Sequence, residues 1–184
     1  MTILCCGDSN TFGYDPRSFL GDRYDLPWPE ALAALTGWQV RNNGSCGRRV
    51  PAGETVFPKN AELILVMLGT NDLLNGDDPR SIAKRMERFL STSDRGKTVL
   101  IAPPPLCRGE WVTDDALILR SRLLAGAYQA VAEELGIRFL DAGEWKIPLC
   151  YDGVHFTEEG HRLFAAQIAR SLKSSCCNLP KSDV

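Results

Sequence analysis

The sequence predicts an α/β fold, a three-layer α/β/α sandwich in which helices cover both faces of a five-stranded parallel sheet. Short apolar runs alternate with longer amphipathic segments along the 184 residues. Within the short runs the apolar residues are continuous, which is typical of parallel strands that are buried on both faces. Strands of this kind that alternate with helices form one sheet between two helical layers.

The five predicted strands are short aliphatic runs bounded by Gly, Pro or polar residues. They are Thr2–Cys6, Trp38–Arg41, Glu62–Leu68, Thr98–Ala102 and Ile137–Leu140. The third is the clearest, because its apolar run is the most continuous.

The predicted helices are longer segments with helix start and stop signals. Asp78 is suited to cap a helix that begins at Pro79, and Gly136 is suited to end one. The four helices are Pro29–Leu35, Pro79–Leu90, Asp114–Leu135 and Thr157–Leu172.

Length and composition indicate one globular domain. We predict a single domain over residues 1–172 and a loosely held polar tail over residues 173–184. Apolar residues make up 44% of the chain and charged residues 24%, and the formal net charge is −2. This balance gives no electrostatic reason to expect a nucleic-acid partner, and no run of like charge indicates a membrane-binding patch. A homo-oligomer is compatible with the sequence.

The apolar segments are too short for export or membrane insertion. The N-terminal run ends at Gly7, and no segment approaches the ~18 apolar residues of a membrane span. We therefore expect a cytoplasmic protein with no membrane partner.

The seven cysteines do not form a metal-binding or disulfide pattern. Their number is odd, no CxxC pair occurs, and only His155 and His161 could add imidazole ligands. We expect reduced thiols that act as small apolar residues, with no metal and no organic cofactor.

Polar segments follow the first three predicted strands, where the ligands of parallel sheets bind. Gly7–Gly13 (GDSNTFG) places Ser9 on a turn that leads into a helix. Ser9 is either an exposed nucleophile or part of a capped, glycine-rich turn. After the next two strands, the Gly44 N–H and the Asn71 side-chain amide could each donate to an oxyanion, although both segments also suit ordinary loops and turns.

A fourth segment, Asp152–His155 (DGVH), lies just before the last helix. An Asp three residues before a His can bind one ring nitrogen and leave the other free to face a serine. A structural or metal-binding histidine is the alternative. His161 lies inside the predicted helix, which favours a structural role.

Together these motifs resemble the SGNH (GDSL-type) hydrolase family. GDSN, GTND and DGVH stand where that family carries its first, third and fifth sequence blocks. APPPL at 102–106, FLDAG at 139–143 and HFTE at 155–158 are similar to its arylesterase/acyltransferase-like branch. Asn10 departs from the eponymous motif, which has Leu there. The region between Gly47 and Lys59 is also short compared with that branch.

The resemblance implies a flavodoxin-like strand order 2-1-3-4-5 and a serine carboxylesterase that needs no cofactor. It implies a catalytic triad of Ser9, Asp152 and His155, and an oxyanion hole formed by Ser9, Gly44 and Asn71. The expected substrate is a small molecule, an ester with a short, acetyl-type acyl group. The residues that we expect to contact it are Asp8, Asn10, Tyr14, Trp28, Trp111 and Val154.

Four other functions stay open from the sequence. The same residues would serve a thioesterase or lysophospholipase, or an acyltransferase. The third is a metal-dependent hydrolase. The fourth is a non-enzymatic flavodoxin-like domain that binds an anion at the Gly7–Gly13 turn, although that turn lacks the lysine of a phosphate loop.

Overall fold

The computed structural model describes residues 1–176 and contains one parallel sheet of five strands. The strand order is β2-β1-β3-β4-β5, and every neighbouring pair is parallel. This confirms the predicted sheet and its order. The strands are β1 (Thr2–Gly7), β2 (Gln39–Gly44), β3 (Leu63–Met67), β4 (Thr98–Ala102) and β5 (Arg138–Asp141).

Six α-helices lie among the described residues, two more than the sequence predicts. They are α1 (Ser9–Phe12), α2 (Trp28–Thr36), α3 (Thr70–Leu74), α4 (Pro79–Leu90), α5 (Asp115–Leu135) and α6 (Glu158–Cys176). The two helices that were not predicted, α1 and α3, have four and five residues. Segments this short show no helical period in the sequence.

The helices form a layer on each face of the sheet. Because side chains alternate along a strand, Ile3 and Cys5 of β1 face α2 and α6, while Leu4 and Cys6 face α4 and α5. Each layer adds its own aromatic side chains, such as Phe164 on one side and Tyr128 on the other. The result is the three-layer α/β/α sandwich that the sequence predicts.

The parallel register brings the polar segments to one edge of the sheet. Gly7 at the end of β1 pairs with Gly44 of β2 and with Met67 of β3. The chain therefore leaves three adjacent strands at the same level, and the residues after β1, β2 and β3 converge there. This is the point where the strand order reverses, which is where ligands bind in open α/β sheets.

The last helix runs further than predicted. It continues to Cys176, so the first part of the tail predicted from residue 173 is helical. Residues 177–184 lie outside the described part of the chain. Within residues 1–176, no helix is long and apolar enough to cross a membrane.

Candidate active site

Ser9 is the first residue of α1, immediately after β1. Asp8 caps this helix, and its Oδ1 accepts the Asn10 N–H at 3.0 Å. The turn is tight, because a Cβ on Gly7 would lie 1.9 Å from Thr11 Oγ1 and one on Gly44 would lie 2.0 Å from the Phe12 nitrogen. Glycine at both positions lets β2 and α1 approach closely enough to fix the direction of the serine.

Asp152 and His155 form a hydrogen-bonded pair in the loop before α6. Asp152 Oδ2 lies 2.5 Å from His155 Nδ1. The other oxygen, Oδ1, accepts the backbone N–H groups of Val154 and His155 at 2.9 and 3.0 Å. These bonds hold the carboxylate against the ring and favour the tautomer with a proton on Nδ1.

The free ring nitrogen of His155 faces the serine. His155 Nε2 lies 3.1 Å from Ser9 Oγ, although the two residues are 146 positions apart. All three side chains are buried, with Ser9 7% and His155 3% exposed. The result is one continuous chain of hydrogen bonds from the Asp152 carboxylate to the Ser9 hydroxyl.

Burial and hydrogen bonding act in opposite directions on Asp152. Burial raises the pKa of its carboxyl, but the bonds from the His155 ring and from the two backbone N–H groups outweigh this effect. The net pKa is below the ordinary value, so Asp152 is ionised at neutral pH. An ionised carboxylate at this position stabilises a protonated imidazole.

Asn10 links the serine turn to the histidine loop. Its Nδ2 donates to the Val154 carbonyl at 3.1 Å, and its Oδ1 accepts the Phe156 N–H at 2.8 Å. These two peptide groups lie on either side of His155. A single buried amide thus fixes the histidine backbone relative to the residue that follows Ser9.

A second segment, residues 107–112, supports the histidine loop from the other side. Cys107, Glu110 and Trp111 donate their N–H groups to carbonyls of residues 151–153. Glycine makes this contact feasible, because a Cβ on Gly109 would lie 2.4 Å from the carbonyl carbon of Asp152, and one on Gly153 would lie 2.1 Å from the Cys107 oxygen. The segment also carries Trp111 to the His155 ring.

A sequence model of the GDSL-like lipase/acylhydrolase family matches residues 5–163. The chain belongs to this family. The match spans β1 to α6 and includes every residue of the Ser9, Asp152 and His155 arrangement. It confirms the resemblance that the sequence motifs indicated.

A curated protein and a solved structure give the extent of similarity. A GDSL esterase/lipase of Arabidopsis thaliana is 26% identical over 185 residues, which cover 85% of this chain and 57% of that protein. The chain therefore spans little more than half the length of this relative. The aryl esterase of M. smegmatis is 27% identical with a TM-score of 0.78, and the match covers 94% of this chain and 98% of that one.

Est24, a carbohydrate acetylesterase from Sinorhizobium meliloti, has a similar fold. It is 23% identical with a TM-score of 0.78, and the match covers 95% of this chain and 99% of that one. At this identity the likeness concerns the fold alone.

The prediction that the Gly44 N–H is free to donate to an oxyanion was wrong. This N–H donates to Asn42 Oδ1 at 2.9 Å, within the same strand end. Gly47, three residues later, is exposed with a φ of +73°, and its N–H has no acceptor among the described residues. The sequence carries both glycines, and the asparagine two residues before Gly44 was the signal that its amide is occupied.

Asn71 lies beside the same loop. Its Nδ2 donates one hydrogen to the Arg48 carbonyl at 3.1 Å, which leaves the second amide hydrogen available. The neighbouring Asp72 is fully buried. Its carboxylate accepts a hydrogen bond from the Val50 N–H at 3.0 Å and forms an ion pair with Arg85 at 2.7 Å. Helix α3 therefore holds the Gly47–Val50 segment close to the end of β3.

Two of the six predicted substrate contacts lie against the imidazole. The Tyr14 ring centroid is 4.7 Å from that of His155, and the Trp111 centroid is 5.2 Å away on an edge-to-face approach. Trp111 is 53% exposed. Trp111 is therefore a half-exposed aromatic ring beside the buried imidazole.

The other four predicted contacts are buried side chains. Trp28 begins α2 and packs on Phe164 in the core, with ring centroids 5.0 Å apart. Val154 packs in a small apolar cluster, and both ends of the Asn10 amide bind backbone groups. Asp8 is 1% exposed and caps α1. Ser9 and His155 are nearly as deeply buried as these four residues, so the substrate contacts of the four stay predictions.

His161 lies inside α6, as predicted. Its Nδ1 accepts the Trp28 N–H at 3.2 Å. Burial lowers the pKa of this histidine to about 3. It is therefore a neutral core residue and takes no part in the arrangement around Ser9.

The cysteines and other metal-ligating side chains are scattered. Cys5, Cys6, Cys46, Cys107 and Cys150 are free thiols. Within residues 1–176 as described, no three His, Cys, Asp or Glu side chains come together in a group that could hold a metal ion.

The buried carboxyl of Asp8 makes stability depend on pH. Burial raises its pKa from 3.8 to about 6, against smaller lowering effects of the Asn10 N–H, His155 and Thr70. The folded protein thus holds this proton more tightly than the unfolded chain, so the stabilising contribution is complete below about pH 4 and is lost as pH rises through about 6. Asp8→Asn keeps the helix cap and removes this dependence.

We predict that wild type loses on the order of 3 kcal/mol of unfolding free energy relative to Asp8→Asn between about pH 4 and pH 7. Urea denaturation of both proteins across this range measures the difference. Asp78→Asn, at the cap of α4, is the matched control. Hydrogen bonds from Ser81 lower the pKa of Asp78, so wild type should gain unfolding free energy relative to Asp78→Asn as pH rises. A constant gap between wild type and Asp8→Asn would contradict the prediction.

Proposed function

We propose that the chain is a serine carboxylesterase that hydrolyses esters of small acyl groups through an acyl-enzyme on Ser9. The observation that carries this proposal is the chain of hydrogen bonds from Asp152 through His155 to Ser9, at 2.5 and 3.1 Å. These distances suit a base that is oriented by a carboxylate and takes a proton from a hydroxyl. Membership of the GDSL family supports the same chemistry.

In the first half of the reaction, His155 Nε2 removes the proton from Ser9 Oγ as this oxygen attacks the ester carbonyl. Asp152 holds the ring with its Nδ1–H pointing at the carboxylate and stabilises the imidazolium that forms. The bond between the carbonyl carbon and the alcohol oxygen then breaks, and His155 passes the proton to the leaving alcohol. The acyl group stays on Ser9.

The oxyanion of the tetrahedral intermediate needs hydrogen-bond donors. We assign this role to three donors, the N–H of Ser9, the second amide hydrogen of Asn71 and the N–H of Gly47. Ser9 is the first residue of α1, where a helix amide has no acceptor within the helix. The bond from Asn71 to the Arg48 carbonyl places the Gly47 segment beside Asn71 and supports this assignment.

In the second half, water deprotonated by His155 attacks the acyl-enzyme and releases the acid. A second alcohol in place of water would give acyl transfer on the same residues. A thioesterase or lysophospholipase would also use them, and substrate profiling separates these activities. The likeness to the aryl esterase of M. smegmatis, at 27% identity, supports an ester of an aromatic alcohol as the substrate of this chain. A cytoplasmic location and the absence of a nucleic-acid partner stay predictions.

We predict that Ser9→Ala lowers kcat/KM for p-nitrophenyl acetate by at least about 10³-fold, because it removes the nucleophile. Wild type should prefer acetate to butyrate and octanoate esters and should keep its activity with a chelator. Initial rates measure each effect, and circular dichroism checks the fold. Ser81→Ala, which changes an exposed residue of α4, is the control and should behave as wild type.

Full activity in Ser9→Ala would overturn the nucleophile assignment. Loss of wild-type activity with a chelator would favour a metal-dependent hydrolase. A wild type that neither cleaves an ester or thioester nor transfers an acyl group to an added alcohol would favour the binding-domain alternative.

Trp111 gives a second prediction, about the alcohol side of the ester. His155 protonates the leaving alcohol, so a ligand ring next to the imidazole lies against Trp111. Trp111→Ala should lower kcat/KM for phenyl acetate about 10-fold more than for ethyl acetate, and Trp111→Phe should restore most of the difference. Phe19→Ala, which removes a fully exposed aromatic ring on another loop, is the control. An equal loss on both esters would contradict a role in leaving-group recognition.

A further inference from the structure

Helix α5 carries an apolar stripe on its solvent face. Leu119 and Leu123 are 58% and 57% exposed. Together with smaller exposed residues they follow spacings of three and four positions, the heptad pattern of a helix that packs on another helix. We call this set the α5 stripe, and it consists of Ala116, Leu119, Leu123, Gly126 and Ala130.

The α5 stripe is not the core face of the helix. The core face carries Leu124, Tyr128 and Val131, which are buried between the sheet and α4. An ordinary surface helix has charged or polar residues opposite its core face. In α5, the middle of the opposite face has two exposed leucines in line with small residues, and the charged residues lie at its flanks. This face is a second packing surface without a partner in the monomer.

The size of the side chains changes along the stripe. The large side chains of Leu119 and Leu123 form a ridge in its N-terminal half, while the small residues Gly126 and Ala130 form a notch in its C-terminal half. The space above Gly126 is open, because a Cβ added there would meet no atom within 4 Å. A ridge followed by a notch is complementary to the same surface turned end to end. In an antiparallel pair, Leu123 lies over Gly126 of the partner subunit and Leu119 lies over Ala130 of the partner subunit.

The charges beside the stripe change in the same direction. Arg120 and Arg122 flank the leucines, and Glu133 and Glu134 flank the C-terminal end. Asp115, the acidic residue in the basic half, already pairs with Arg108. Antiparallel pairing brings the basic half of one helix to the acidic half of the other, whereas parallel pairing would place like charges and both leucine ridges together.

We propose that the α5 stripe is the contact surface between two copies of this chain, related by a two-fold axis that passes between Leu123 and Gly126. Size and charge both reverse about the middle of the helix, which is the condition for a self-complementary, closed dimer. A lipid surface would require basic residues along the whole polar flank, and here the C-terminal half is acidic. The proposal does not depend on the esterase assignment.

Sedimentation equilibrium of the full chain over a range of concentrations tests the dimer. Wild type should show a reversible increase from the mass of one chain to that of two. Leu123→Glu should raise the dimer dissociation constant at least about tenfold, since it puts a charge into the notch. Glu134→Arg, an exposed change that leaves the core untouched, should weaken the dimer by removing the net negative charge of the C-terminal half. Leu35→Glu is the control, because Leu35 is a 56% exposed leucine on α2.

Two results would overturn the proposal. One is a wild type that stays monomeric over the whole range of protein concentration. This includes a monomer that binds vesicles of phosphatidylcholine and phosphatidylglycerol through Leu123. The other is a dimer whose dissociation constant is the same in Leu123→Glu and Leu35→Glu. Circular dichroism of each variant ensures that only folded proteins are compared.

Discussion

The contact between Ser9 and His155 depends on one buried amide. The two residues come from opposite ends of the chain, and the loop that carries His155 has no regular secondary structure of its own. The Asn10 side chain binds the peptide groups on both sides of His155, at 3.1 and 2.8 Å, and it is 4% exposed. Buried hydrogen bonds of this kind are costly to leave unmade, so they hold the loop in one position. This link, together with the backbone bonds from residues 107–111, holds Nε2 at 3.1 Å from Oγ.

The sheet supplies the other half of the constraint. Because β1 lies between β2 and β3 in register, Ser9 leaves the sheet beside the loop that contains Gly47 and beside the start of α3. Close packing at Gly7 and Gly44 leaves the turn no room to shift. Asp72 of α3 accepts the Val50 N–H and so holds the segment before Val50 against this helix. Ser9 and Asn71 are thus held on helices, and Gly47 lies on the loop that Asn71 and Asp72 bind. The exposed Trp111 is held by its backbone hydrogen bond to the histidine loop.

The sequence predicts the sheet and the long helices, because these depend on apolar patterns that extend over many residues, and the family resemblance implies the strand order. It misses α1 and α3, which have fewer than two turns, and it ends β2 at Arg41, because this edge strand continues through the polar residues Asn42 and Asn43. The triad is predicted from motif and resemblance. The remaining features of the site depend on burial and hydrogen bonding in the folded chain. Trp28 and Val154 face inward, Asn42 accepts the Gly44 N–H, and Asn10 binds a loop 144 residues away. Such long-range pairings have no local sequence signal.

The central claim is that Asn10 holds His155 against an activated Ser9, and the rate of covalent labelling tests it most directly. A fluorophosphonate reacts with a serine only when a base removes its proton. Mass spectrometry of the labelled wild type should place the adduct on Ser9, and the second-order rate constant should fall by about 10-fold to 100-fold in Asn10→Leu while circular dichroism shows that the variant is folded. An adduct on another residue, or an unchanged rate constant in folded Asn10→Leu, would contradict the account.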